Sequence, residues 1–293
     1  MIVTRFNYHL DKNLLKKIDL MIERCITDKS KKDSLLLIEG GEGEGKTTFS
    51  IAIGYYVSEK TGRPFSHKNI FFDAEKMIDF AKKTENQIII WDEPALQGLS
   101  TDWASRIVKN LTRLLMTARK KRHFFIFNMT KFFKFNEYIV VDRACGMIHV
   151  YSRKNVESGR FRYIKKANLQ PLWRDYRYSK KRNYVKYSAP HILGNFPDIL
   201  SPNYPNNVLS EFNVDAYEKK KDEGIESIGS KEERLTPLQI EKKVHLKVVR
   251  NSKKKGFKLK QKELAQLLDV NVSSIKRYAK ETQVSKLSSS PLL

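Results

Sequence analysis

The sequence predicts an α/β fold, a mainly parallel sheet flanked by helices, joined to a small all-α domain. Three observations carry that prediction. Short, wholly apolar runs alternate with helical patterns over residues 34–165, as strands buried on both faces of a sheet do. A glycine-rich octapeptide follows the first run and opens a helix. A compact helical pattern then returns from Leu235 to about Gln283, after a stretch rich in Pro, Asn, Ser and charge.

Taken in order, residues 1–33 form an N-terminal segment. Leu14, Leu15, Ile18, Met21 and Ile22 recur at helical spacing within it. The core, 34–165, opens on the strand Leu35–Ile38. A helix from about Thr47 to Lys60 follows and is ended by Gly62 and Pro64. Asn69–Phe72 reads as a second strand, Ala74–Lys83 as a helix and Gln87–Trp91 as a third strand. Trp103, Ile107, Leu111, Leu114, Leu115 and Ala118 fall on one stripe of a long helix over Asp102–Arg119, with Thr101 as its N-cap. Phe124–Phe127 is a fourth strand and Met147–Tyr151 a fifth, with Phe161–Ile164 returning as a hairpin across Ser158-Gly159. Residues 166–234 read as a basic aromatic arm followed by a linker. Its part from 189 to 232 shows little core of its own. Residues 235–293 form the terminal helical domain.

The formal net charge is +23 and the pI about 9.8, with 40% hydrophobic and 30% charged residues. That composition is globular, and the charge calls for an anionic partner, with DNA preferred. Cys25 and Cys145 sit in neither metal-ligand nor redox spacing and read as reduced thiols of a cytoplasmic protein. Met1–Leu10 lacks the apolar stretch of a leader, and no run approaches the ~20 residues that span a bilayer, so no membrane partner is expected.

Gly40-Gly41-Glu42-Gly43-Glu44-Gly45-Lys46-Thr47 matches G-x-x-x-x-G-K-[ST] in full, between strand and helix. Backbone N–H groups of such a loop, continued by Thr48 at the helix start, cradle phosphate oxygens. Lys46 would reach the β and γ phosphates of ATP, and the Thr47 hydroxyl would ligate Mg²⁺. Glu42 and Glu44 are unusual beside a polyanion, and their side chains are expected to point outward. Ile88-Ile89-Ile90-Trp91-Asp92-Glu93 supplies the second half, an apolar strand ending in acids. Asp92 would hold Mg²⁺, and Glu93 would orient and deprotonate the attacking water. The adjacent pair resembles the additional-strand, catalytic-glutamate division of P-loop proteins, which implies an extra strand between the loop strand and the acid strand. That strand ends in Asn128, the candidate polar sensor, with Thr130 as runner-up. Arg113, Arg119, Arg122 and Arg143 are candidates to complete a neighbour's site in trans, Arg119 first, which implies an oligomer, most simply a ring.

Arg174, Arg177, Lys180, Lys181, Arg182 and Lys186 surround Trp173, Tyr176, Tyr178, Tyr184 and Tyr187, cations for phosphates beside rings for bases. In the terminal domain Gln239–Arg250, Gln261–Leu268 and Val272–Lys280 read as three helices. Leu264, Ala265, Leu268, Val270, Val272 and Ile275 have helix-turn-helix spacing. Ser273, Ser274, Lys276, Arg277 and Lys280 would then face DNA.

The loop, the Asp92–Glu93 pair and the stretch Thr117-Ala118-Arg119-Lys120-Lys121-Arg122-His123-Phe124-Phe125-Ile126-Phe127-Asn128 together resemble RecA-like P-loop ATPases of the HerA–FtsK group. That group includes the packaging and zonula-occludens-toxin-like proteins of viruses and mobile elements. The resemblance covers residues 33–152, including Gly62-Arg63-Pro64 and Asn69-Ile70, and departs at Asn128, where members often carry Gln. It implies a motor that moves DNA, commonly as a hexamer, and a packaging or replication partner is expected beside it. The residues alone leave two alternatives open, a helicase-loader or replication-initiation ATPase and a nucleotide-switched DNA-binding regulator.

Overall fold

Five of the apolar runs become the parallel part of one sheet. The computed structural model describes residues 2–3, 8–27, 32–92, 101–152, 159–200, 212–230, 244–245, 248 and 260–276. A two-stranded antiparallel pair, β1 (Ile2–Val3) and β2 (His9–Leu10), precedes helix α1 (Lys12–Ile26). Strand β3 (Ser34–Glu39) leads through the glycine-rich loop into α2 (Lys46–Thr61). Strand β4 (Ile70–Phe71), α3 (Ala74–Lys83), β5 (Ile88–Asp92) and α4 (Thr101–Thr117) follow. Then come β6 (Phe124–Met129), β7 (Gly146–Tyr151) and β8 (Arg160–Lys165). The sheet has seven strands in the order β4-β5-β6-β3-β7-β8-β9, where β9 is Leu193–Asn195. Pairings from β4 through β7 are parallel, and β8 and β9 are added antiparallel. The extra strand, β6, therefore lies between the loop strand β3 and the acid strand β5.

Strand periodicity splits the apolar side chains into two cores. Leu36, Ile38, Ile88, Ile90, Phe124 and Ile126 pack with α1 and α2, while Leu35, Leu37, Ile89, Trp91, Phe125 and Phe127 pack with α3 and α4. The chain caps its helices locally. The Asp11 carboxylate accepts from the Leu14 N–H at 2.8 Å, and Gly62 closes α2 at φ 69°, a left-handed conformation that glycine adopts without strain.

The structure departs from expectation mainly beyond residue 165. Helix α5 (Lys166–Ser179) and the short α6 (Tyr184–Tyr187) pack Leu169, Leu172, Trp173 and Tyr184 into the second core. Ala189, Ile192, Phe196, Ile199, Phe212 and Tyr217 join the first, and helix α7 runs from Val214 to Ser230. The expected linker over 189–232 is thus corrected: its polar composition hides widely spaced apolar residues that complete the core. The N-terminal segment is likewise part of the core, through Tyr8, Leu10 and the buried face of α1. The chain divides into two compact units, 1–229 and 230–293. In the second, α8 (Gln261–Leu267) and a helical turn over 272–276 gather Leu264, Ala265 and Ile275 against Val248, Leu268, Val270 and Val272.

Candidate phosphate-binding site

The register of the parallel strands builds this site. Ile38, Asn128 and Asp92 are direct neighbours across β3, β6 and β5. They share the parity of the core that faces α2, so Asn128 and Asp92 point toward the start of that helix. There the Thr47 hydroxyl donates to Asp92 Oδ2 at 2.6 Å. Asn128, fully buried, donates through Nδ2 to Asp92 Oδ1 at 3.3 Å and to Ser50 Oγ at 3.1 Å. The Ser50 hydroxyl in turn donates to the Thr47 carbonyl at 2.8 Å. Four side chains from three elements thereby converge on one carboxylate and one hydroxyl.

Desolvation raises the Asp92 pKa, and the hydrogen bonds from Thr47 and Asn128 pull it back down. Lys46 is shifted downward, first by burial, against the pull of Asp92, Glu39, Glu42 and Glu44. Its ammonium donates to the Gly41 carbonyl at 2.6 Å, so the lysine lies folded along its own loop. Gly43 and Gly45 hold φ of 74° and 84°, and no side chain caps α2 at Gly45, which leaves its first N–H groups to a ligand. Gly40 is sterically obligatory, because a Cβ there would come within 2.5 Å of the Val150 carbonyl oxygen. Gly41 and Glu42 are exposed, and Thr48 is half-buried. Glu44 corrects the expectation of an outward-pointing pair: it folds back on Gly41, with its Oε2 buried and unpaired.

The residues fit a magnesium–nucleotide ligand. A threonine hydroxyl and a carboxylate, both oxygen donors, sit together at the N-terminus of a helix with uncapped N–H groups. Asn128 Oδ1 adds a buried acceptor that meets no donor among the described residues. Among the described residues no group of three or more His, Cys, Asp or Glu could hold a metal by itself.

Glu93 lies outside the described residues. Thr130 falls just past β6 and is half-buried. Arg119 is exposed in the 3-10 turn Ala118–Lys121 that precedes β6, at the end of the sheet opposite the loop. It cannot serve its own chain's site. Arg143 is withdrawn from the finger candidates, because both oxygens of the buried Asp33 hold it, at 2.7 and 2.8 Å.

The basic arm keeps its charges and loses most of its rings. Arg174, Arg177, Lys180, Lys181, Arg182 and Lys186 are exposed, with Arg177 3.5 Å from Glu137 and Lys186 3.6 Å from Asp175. Trp173 and Tyr184 are buried, Tyr176 stacks on Phe133 at 3.9 Å, and Tyr178 alone of the five stands out, at 85% exposed. In the second unit Ser273 and Lys276 are exposed and Ser274 half-buried, while Arg277 and Lys280 lie outside the described residues.

Three features at the loop were not legible in the sequence. Glu39, the last residue of β3, is buried and accepts from His149 Nδ1 at 2.6 Å and from the Tyr184 hydroxyl at 2.8 Å. Burial, then the Glu39 charge, pushes the Tyr184 pKa far up. Phe196 stacks on Phe49 at 4.2 Å and lies 3.1 Å from where a Gly45 Cβ would stand. Tyr217, from α7, is buried near the site, and burial, then the Asp92 charge, pushes its pKa up. Only Glu39 left a signal, as a lone charge ending an apolar strand.

No family model matches the chain, and no curated protein does. Among solved structures, the N-terminal domain of zonular occludens toxin from Neisseria meningitidis aligns at 13% identity. The alignment covers 57% of this chain and 94% of that one, with a TM-score of 0.37. Rhizobiales Trip13 aligns at 14% identity over 49% of this chain and 67% of that one, with a TM-score of 0.30. Likenesses this distant transfer neither substrate nor partner. The chain's own geometry is that of a P-loop fold: a phosphate loop on a mostly parallel sheet, facing an acid strand two places away.

Proposed function

We propose that this chain is a magnesium-dependent ATPase that works on DNA, as a translocation or packaging motor of a virus or mobile element. The supporting observation is the 2.6 Å contact between Thr47 and Asp92, which joins the two halves of the motif at one point. Magnesium, when bound, offsets the charge of the triphosphate. The loop N–H groups and Lys46 hold the phosphates, and Asn128 fixes the Asp92 carboxylate toward Thr47. Glu93, next in the chain, is the proposed base that takes the proton of the attacking water. The exposed cations of α5 and the turn after it, with the charge of +23, support a polyanionic track. Arg119, free of its own site, is the proposed contribution to a neighbour in a ring.

ATP hydrolysis measured without DNA, with long duplex and with single strands tests this reading. Stimulation by long duplex, with triplex displacement, is expected, and Lys46→Ala should abolish turnover. Stimulation by single strands alone would point to a loader, and slow turnover with protection of one duplex site to a regulator. No hydrolysis under any of these conditions sinks the ATPase reading itself.

A further inference from the structure

The phosphate loop is acidic inside a strongly basic chain. Gly40–Thr47 carries two carboxylates, Glu42 and Glu44, against the single ammonium of Lys46, while the whole chain has a formal net charge of +23. Glu39 precedes the loop, and Asp92 faces it. These four acids are not equivalent. Asp92 accepts from Thr47 and Asn128, at 2.6 and 3.3 Å. Glu39 accepts from His149 and Tyr184, at 2.6 and 2.8 Å. Glu42 is exposed, and water weakens its field. Glu44 is half-buried, and its Oε2 is shut off from water with no hydrogen-bond partner among the described residues. A carboxylate oxygen buried in that way costs free energy and calls for a reason.

The place of Glu44 is fixed. A Cβ at Gly41 would stand 3.3 Å from Glu44 Cγ and 3.5 Å from its Oε1. Lys46 Nζ donates to the Gly41 carbonyl at 2.6 Å, so carboxylate and ammonium meet at the same glycine. A Cβ at Gly159 would come within 3.1 Å of the Glu44 carbonyl oxygen, and one at Gly45 within 3.1 Å of the Phe196 ring. The backbone that carries Glu44 is therefore packed in place.

A fixed, unpaired negative charge at a phosphate loop repels a ligand in proportion to that ligand's own charge. A bare triphosphate feels the repulsion in full. Mg²⁺ cancels a large part of the triphosphate's charge, so the chelated nucleotide feels it less. The field of Glu44 thereby separates two ligands that the loop N–H groups alone would treat alike. The rest of the protein, at +23, attracts polyanions without that distinction.

We propose that Glu44 is a specificity-determining residue of the loop, its carboxylate disfavouring bare triphosphates and other unchelated polyphosphates and so selecting nucleotide that carries Mg²⁺. This rests on the reading of the loop as a magnesium–nucleotide site and adds what that site selects against.

The test is equilibrium binding of a fluorescent ATP analogue to full-length protein, with saturating Mg²⁺ and in EDTA, read as the ratio of the two dissociation constants. Wild type should bind more tightly with Mg²⁺. Glu44→Gln keeps the shape and removes the charge. Its Kd in EDTA should fall about tenfold and its Kd with Mg²⁺ much less, so the ratio shrinks. Glu44→Asp keeps the charge and should stay near the wild-type ratio. Inorganic tripolyphosphate, competing in EDTA, should show an inhibition constant about tenfold lower in Glu44→Gln than in wild type. A folded Glu44→Gln with an unchanged ratio, whether both constants stay or fall together, overturns the proposal. Glu44→Ala is read in the same way if the glutamine variant does not fold. A wild type that binds equally with Mg²⁺ and in EDTA overturns it without any variant. If the wild type binds no analogue under either condition, the nucleotide reading itself has failed, a result distinct from both.

Discussion

Asp92, Asn128 and Thr47 meet because of parity. In β5 and β6 every second residue faces α2, so Asp92 and Asn128 turn toward Thr47 while Trp91 and Phe127 turn the other way, 5.2 Å apart in the opposite core. The motif residues were legible because their chemistry and spacing are local. Asn128 was legible through the strand it ends. The partner of Arg143 was not, since Asp33 lies 110 positions away and nothing in either neighbourhood announces the pair. That pair carries a prediction. Both side chains are buried, at 9% and 1% exposure, so Arg143→Met leaves a carboxylate buried without its guanidinium. Breaking such a pair costs about 3–5 kcal/mol, which should appear as a lowered midpoint in urea unfolding. Replacing Asp33 with Leu in the same variant should recover most of the loss. A midpoint unchanged by Arg143→Met would show that the pair contributes nothing.

Among the elements, those of the core announced themselves by period, and α5 and α7 did not. Helix α5 carries exposed Arg and Lys on one side and Leu169, Leu172 and Trp173 on the other. Read along the sequence, that mixture looks like a groove for nucleic acid. Only the packing shows that most of the rings belong to the core. Helix α7 is fastened by Lys220, whose ammonium stands 4.5 Å from the centre of the Phe71 ring. Burial, with Lys76 nearby, lowers its pKa from 10.5 to about 8. The folded state therefore binds this proton less readily than the unfolded chain does. The resulting penalty is complete below about pH 8 and is relieved as pH rises from there to 10.5. Lys220→Met loses the ammonium's contacts with Phe71 and with the carbonyls of His67 and Lys68 at every pH. Only wild type is relieved of the penalty, so its melting temperature should gain on the variant's as pH rises from about 8 to 10.5. A difference that stays constant with pH would remove the charge as its cause.

At the scale of the whole molecule, the sequence showed where the sheet and its loop lie and misplaced where the folded unit ends. A boundary at residue 165 leaves out Leu169, Leu172, Trp173, Tyr184, Ala189, Ile192, Phe196, Ile199, Phe212 and Tyr217, all buried. Large apolar side chains contribute about 1.5–3 kcal/mol each when buried, so their joint loss rivals the ~5–15 kcal/mol that holds a domain together. A chain of residues 1–165 should accordingly lack a cooperative thermal transition, whereas residues 1–230 should melt cooperatively; a sharp melt for the shorter chain would refute this. The position of Phe196 bears also on the order of synthesis. The ribosome releases Gly40–Thr47 early, but the Phe196 ring that closes over Gly45 emerges much later. Until then the nascent loop stands with one wall missing, and a late-translated part of the unit finishes one of its earliest.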